Sequence, residues 1–137
     1  MLYSIGVTTG FRISDILRIT PQNVKGRYLE LREQKTGKMR RKKLTAQQAR
    51  WILAHAPVSA PVFCMSRQAV WKYFKKHVPK STAVNVGTHS MRKKYALNLF
   101  DECADIVAVQ KDLVHDNLST TLLYLYGGLQ TKKSKPV

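Results

Sequence analysis

The stretch that most limits what this chain can become is His89-Ser90-Met91-Arg92. Thr88 stands before it with the side chain of a helix N-cap, so the four residues read as the first turn of a helix over residues 89–101. At about 100° per residue, His89 and Arg92 fall within roughly 60° of each other. The same arc carries Ala96, Leu99 and Phe100, with Lys93 at its edge, while Lys94 and Asn98 take the opposite side. A guanidinium and an imidazole therefore project toward the side of the helix that should be buried. Burying an arginine is costly unless an anion meets it, and no acid lies nearby in sequence. An external anion fits, and phosphate matches the planar fork of donors. A solvated arginine at a helix start, beside a satisfied core histidine, fits the same four residues, so the choice falls to the rest of the chain.

The charge balance narrows the partner. Among 137 residues there are 24 Lys+Arg against 8 Asp+Glu, a formal +16, which points to a polyanion, most often nucleic acid. The length suits one domain with a proper core, and no segment has the length of a membrane-spanning helix or the pattern of a signal peptide. No membrane partner is expected. The cations are bunched: Lys35, Lys38, Arg40, Arg41, Lys42 and Lys43 form one run without an acid, and Arg67, Lys72, Lys75, Lys76 and Lys80 a second. Asp101, Glu102, Asp105, Asp112 and Asp116 fall together later. If they lie away from the partner, the molecule has a basic face and a more neutral back. Cys64 and Cys103 lack CxxC spacing, and His55, His77, His89 and His115 form no HxxxH pair. Reduced thiols and no metal site are expected.

Along the chain, residues 2–7 read as the tail of a helix that ends near Thr8-Thr9-Gly10. A second helix, capped by Thr8 or Thr9, runs to about Ile19 and stops before Pro21. On it Arg12 and Asp15 share a face, while Ile13, Ile16 and Leu17 make an apolar stripe. As a mere surface ion pair, Arg12 would be worth little. Residues 27–32 alternate like a strand, Lys35-Thr36-Gly37-Lys38 reads as a turn, and residues 40–44 return as a second strand. The lysine-rich tip is either a solvated edge that resists aggregation or an arm that reaches a nucleic-acid groove or an active site. Thr45 caps a helix to about Ala56 with Ala49, Ile52 and Leu53 inward. Ser66 caps another to about His77 with Val70, Tyr73 and Phe74 inward and Arg67, Lys72, Lys75 and Lys76 outside. Such a basic helix suits phosphate contact, and ordinary solvated lysines would look the same. Further helices are expected at about 104–114 and 118–126. The last places Leu118, Leu122, Leu123, Leu125 and Tyr126 on an apolar arc and Thr120, Thr121 and Tyr124 on a polar one, and Gly127-Gly128 ends it.

Taken together these residues resemble the catalytic domain of tyrosine recombinases, the phage integrase family. The similarity begins at Thr9-Gly10-Phe11-Arg12-Ile13-Ser14-Asp15-Ile16-Leu17 and continues through Lys35-Thr36-Gly37 and His89-x-x-Arg92. It closes at His115-Asp116-Asn117-Leu118-Ser119-Thr120-Thr121-Leu122-Leu123-Tyr124, where the tyrosine follows the histidine by nine residues. The resemblance implies an α+β, mainly α fold with a small antiparallel hairpin or sheet. The catalytic domain would span residues 1–128 and a basic tail residues 129–137.

The resemblance also implies site-specific DNA cleavage and rejoining through a 3′-phosphotyrosyl intermediate, without metal or other cofactor. In it Tyr124 is the nucleophile, assisted by His89. Arg12 and Arg92 hold the non-bridging oxygens, His115 adds a hydrogen bond, and Lys35 is the general acid for the 5′-oxygen. Asp15 would orient Arg12. Lys38, Arg40, Arg41, Arg67, Lys72, Lys75 and Lys76 would bind DNA. Lys38 competes with Lys35 for the acid role, and Tyr126 is the alternative nucleophile. Val114 stands where the family commonly has Gly, and Met91 where it has Leu. Double-stranded DNA, a dimer or tetramer on it, and a separate core-binding or accessory protein are the partners implied, in the cytoplasm of a bacterial, phage or plasmid system. With only residues 1–8 ahead of the first motif, a truncated first helix and no core-binding domain are expected. An idle, truncated DNA-binding module and a type IB topoisomerase-like activity are the rival readings.

Overall fold

A computed structural model describes residues 1–77 and 90–113. The chain opens with α1 (Leu2–Thr9), closed by Gly10 in the left-handed region (φ 73°), whose N–H bonds the carbonyl of Gly6 at 2.9 Å. Both glycines are also points of close approach to α5 (Ser90–Cys103). A Cβ on Gly6 would come within 2.5 Å of Met91 Sδ, and one on Gly10 within 2.3 Å of the Tyr95 ring. The approach of α1 to α5 brings the Arg12 motif and the Arg92 motif together, although 80 residues of sequence separate them.

Arg12 precedes the short helix α2 (Ile13–Ile16) in extended conformation, φ −67° and ψ 151°. The expected helix, capped by Thr8 or Thr9 and running to Ile19, is short at both ends: Thr8 and Thr9 belong to α1, and Arg12 stands at the N-cap without a side-chain cap bond. Arg18 and Ile19 donate to carbonyls three residues back, at 3.1 and 3.2 Å, because Pro21 obliges Thr20 to be extended (φ −119°, ψ 161°). After a 3₁₀ turn at Pro21–Asn23 come β1 (Val24–Lys25), β2 (Tyr28–Arg32) and β3 (Met39–Lys43), antiparallel in the order β1-β2-β3. The two-residue β1 escaped the sequence reading, being too short to show a period. In the β2–β3 register Leu29 pairs with Lys42 and Leu31 with Arg40, so the apolar side chains of β2 share a face with two cations of β3.

Thr45 caps α3 (Ala46–Ala54) in a reciprocal box with Gln48. Gln48 is buried and donates to Ser4 Oγ (2.8 Å) and Thr8 Oγ1 (3.0 Å) on α1. That turns the helix toward Gln48, so Ala49 and Ile52 are buried while Leu53, expected inward, is 54% exposed. Ser66 Oγ accepts from Ala69 N at the start of α4 (Arg67–His77). Here Val70 and Phe74 alone are buried, and Tyr73 lies outside against His77. The helix α6 (Ile106–Leu113) follows α5, with Asp105 Oδ1 accepting from Val107 N. A main core joins α1, α2, the sheet, α3, α4 and Met91; a smaller one packs Ala96 and Leu97 of α5 on Val109 and Leu113 of α6.

Candidate active site

Arg92 is 2% exposed. Its Nη1 donates to the carbonyl of Gly10 (2.8 Å) and its Nη2 to that of Leu113 (2.5 Å). The guanidinium thus pins the chain two residues before Arg12 and at the C-terminal end of α6. Arg92 and Ala96 are buried as expected and Lys94 and Asn98 exposed, but Leu99 and Phe100 of the expected arc are only half-buried, while Met91 and Leu97, which lie off it, are buried. Backbone carbonyls supply part of what the sequence reading assigned to an external anion.

Arg12 Nη1 lies 3.5 Å from Glu33 Oε2. It is buried yet makes no hydrogen bond, so the pairing is Coulombic attraction with a donor left unspent. Asp15, expected to orient Arg12, has other partners. Its Oδ1 accepts from Arg18 Nη2 (2.6 Å) and from the backbone N–H of Gln34 (2.9 Å). The reason is local: Arg12 lies before the helix and not on it, whereas Arg18 is three residues beyond Asp15. Asp15 still serves the region, since it fastens to α2 the peptide that leads into Lys35.

The turn itself is closed by Glu33 N donating to the Lys38 carbonyl (2.9 Å) and by Gly37 N donating to the Glu33 carbonyl (2.8 Å), with Gly37 at φ 68°. Lys35 and Lys38 are both exposed on it. Thr36 Oγ1 donates to Glu33 Oε2 at 2.8 Å.

Arg40 was expected on the DNA face and is instead turned inward. Its guanidinium is 3.6 Å from Glu33 Oε1 and 3.7 Å from Asp112 Oδ2, and it donates to the Asp112 carbonyl. Lys42 follows the same parity: its Nζ is bonded to Asp112 Oδ1 (2.5 Å) and to Tyr95 Oη (2.9 Å), and Tyr95 donates to Asp112 Oδ2 (2.6 Å). Burial lowers the Lys42 pKa below its usual 10.5, against the opposing pull of Asp112. Burial and Asp112 together push the Tyr95 phenol well above its usual 10.0. Glu33, Tyr95, Lys42 and Asp112 were not singled out from sequence as site residues. Period two held the clue for two of them: Glu33 continues Leu29 and Leu31, and Lys42 continues Arg40.

Arg41, Arg67, Lys72, Lys75 and Lys76 are exposed. Arg41 caps the Tyr28 ring at 4.0 Å, and Lys75 lies 4.6 Å from the Trp71 ring centre. His89, His115, Tyr124 and the alternative Tyr126 lie outside the described residues. Among the described residues no group of His, Cys, Asp and Glu is placed to hold a metal, and no helix is long and apolar enough to cross a membrane.

An arginine before α2, a lysine on the β2–β3 turn and a buried arginine on α5 are thus tied to one another through Gly10, Asp15 and Glu33, within a mainly α domain that carries a three-stranded antiparallel sheet. The chain belongs to the phage integrase family, whose model matches residues 1–127. The tyrosine recombinase XerD of Staphylococcus saprophyticus is 40% identical over 63 residues, which are 45% of this chain and 21% of that protein. Among solved structures, the catalytic domain of bacteriophage HP1 integrase superposes with a TM-score of 0.65 at 17% identity, over 99% of this chain and 81% of that one. XerH bound to its palindromic difH substrate gives 0.64 at 20% identity, over 96% of this chain and 43% of that one. The chain thus covers less than half of XerH, and its match to XerD takes in 21% of that protein.

Proposed function

We propose that this chain cuts and rejoins DNA at specific sites through a tyrosine intermediate. The observation that carries the reading is the convergence of Arg12, the Lys35 turn and Arg92 around Glu33, Asp15 and Gly10, with a buried Arg12 donor that makes no hydrogen bond. A buried donor of this kind calls for an explanation, and a phosphate oxygen is a suitable acceptor.

In the proposed reaction Tyr124 Oη attacks the scissile phosphorus, the Oη–P bond forms and the P–O5′ bond breaks. The phenol, with an ordinary pKa near 10, gives its proton to His89, and Lys35 donates one to the departing 5′-oxygen. Arg12, Arg92 and His115 stabilise charge on the phosphoryl oxygens as it develops. Rejoining runs the same steps backward, and the bond energy held in the 3′-phosphotyrosyl link makes ATP unnecessary. The exposed Lys38, Arg41, Arg67, Lys72, Lys75 and Lys76 contact the DNA backbone, and assembly on DNA is as a dimer or tetramer. The structural neighbours are consistent with this: one is a λ integrase dimer bound to a core site.

A second reading has one observation behind it. Arg92 spends Nη1 and Nη2 on backbone carbonyls, as a purely structural strut would, and the chain would then bind DNA without cutting it. Incubation with a nicked suicide substrate separates the two. Under the recombinase reading a covalent protein–DNA adduct forms, Tyr124→Phe abolishes it while DNA binding persists, and Tyr126→Phe retains it. Absence of adduct from the wild type, with salt-sensitive binding intact, would overturn the first reading and favour the second. Relaxation of supercoiled DNA without a specific site would point instead to topoisomerase-like activity.

A further inference from the structure

Glu33 stands where three parts of the proposed site meet, and no role in the reaction described above uses it. The side chain is 1% exposed. One oxygen, Oε2, faces Arg12 Nη1 at 3.5 Å and also accepts from Thr36 Oγ1 at 2.8 Å. The other, Oε1, faces Arg40 Nη1 at 3.6 Å. Its backbone closes the same turn at both ends, accepting from Gly37 and donating to the Lys38 carbonyl. Arg40 is held from behind by Asp112, so the carboxylate is anchored and cannot simply follow Arg12 outward.

We infer that Glu33 is a positioning residue. A single buried carboxylate fixes the guanidinium of Arg12 and, through the Thr36 hydroxyl, the turn that carries Lys35. It thereby sets the phosphate-holding group and the proton donor at a constant separation. Because Glu33 faces only Nη1 of Arg12, as an ion pair without a hydrogen bond, it orients the guanidinium while the rest of the partly exposed side chain is left for phosphate. The inference rests on the recombinase reading for the roles of Arg12 and Lys35. The geometry that ties those two elements together does not depend on it.

The test uses the full chain with two nicked substrates, one with the natural bridging 5′-oxygen and one with sulfur in its place. A thiolate leaves without needing a proton, so the sulfur substrate bypasses Lys35. Thr36→Val removes the hydroxyl clamp and keeps the charge beside Arg12. Its single-turnover adduct formation should fall roughly 10-fold on oxygen and recover to wild type on sulfur. Glu33→Gln loosens both elements. It should fall roughly 10- to 100-fold on oxygen and recover only in part on sulfur, with DNA affinity within about 3-fold of wild type. Wild-type rates for both variants on oxygen would overturn the inference, as would a Thr36→Val defect of equal size on both substrates. Amide exchange at Gly37 and Lys38 reads the turn without catalysis and should quicken in Glu33→Gln. If the wild type forms no adduct on either substrate, the recombinase reading fails. A quickened exchange would then leave the hold of Glu33 on the turn standing, and an unchanged one would remove that as well.

Discussion

The cations of β3 and those of α4 are similar in kind, yet the strand divides its set and the helix does not. In α4 the buried stripe is Val70 and Phe74, and every cation of the helix is exposed. In β3 the period is two, so alternate cations turn inward. Arg40 and Lys42 pack beside Leu31 and Leu29 and end on Glu33 and Asp112, while Arg41 and Lys43 remain outside. A cluster of lysines and arginines in sequence is therefore not one functional unit. The secondary structure that carries it decides which members face a partner and which become part of the protein's own framework. Only the first kind is available to neutralise phosphates, and only the second makes stability depend on a carboxylate.

Removing the anion at the centre of the inward set is expected to have the largest effect on stability. Asp112→Ala strips Arg40, Lys42 and Tyr95 of their shared acceptor. The cost should be about 2–3 kcal/mol, less than for a fully buried pair because of solvent screening. It is read as a lower urea midpoint with unchanged slope. A midpoint unmoved by Asp112→Ala would show the inward cations to be as independent as those of α4.

A smaller effect appears in the pH dependence. Burial holds Lys42 below 10.5. Between its folded-state pKa and 10.5 the unfolded chain carries the extra proton, so this residue makes stability rise with pH. Tyr95 is held above 10.0. Past that pH the folded chain keeps a proton that the unfolded chain loses, so its contribution falls. Chemical denaturation from pH 8 upward should accordingly show a rise that gives way to a decline. Lys42→Met should flatten the rise and leave the decline.

At neutral pH the same Lys42→Met substitution sharpens the contrast further. It removes a desolvated charge of similar volume while Arg40 still pairs with Asp112, so stability should change by no more than about 1 kcal/mol. A larger loss in the urea midpoint would mean that Lys42 is the main anchor of Asp112. The outward set should affect stability least. Lys72→Ala combined with Lys76→Ala should leave the urea midpoint where it is. The two together should weaken DNA binding and reduce the slope of log affinity against log salt by about 2 if each lysine neutralises one phosphate. An unchanged salt slope would remove α4 from the proposed DNA face.

Much of the fold was legible before any coordinates. The stops and caps are chemical and local: Gly10 ends α1, Thr45 starts α3, and Ser66 starts α4. The hairpin followed from alternation around a glycine turn. The misplacements have two kinds of cause, one nonlocal and one local. Leu53 lost its inward place because Gln48 found hydroxyls on α1. The second helix stopped early because Pro21 dictated the geometry of Thr20. In the candidate site, Arg12, Lys35 and Arg92 were singled out by residue type and order, yet their connections were not. Asp15 serves Arg18 and Gln34 instead of Arg12, and the acid facing Arg12 is Glu33, 21 residues further along.

Residue order alone determined the family, the helix boundaries set by caps and glycines, and the excess of positive charge, because each is a property of short stretches or of the whole composition. Which arginine meets which carboxylate was decided only when α1 closed on α5 through Gly6 and Gly10 and β3 came to lie beneath the end of α6. Charges act through space, and their neighbours in space are chosen by packing.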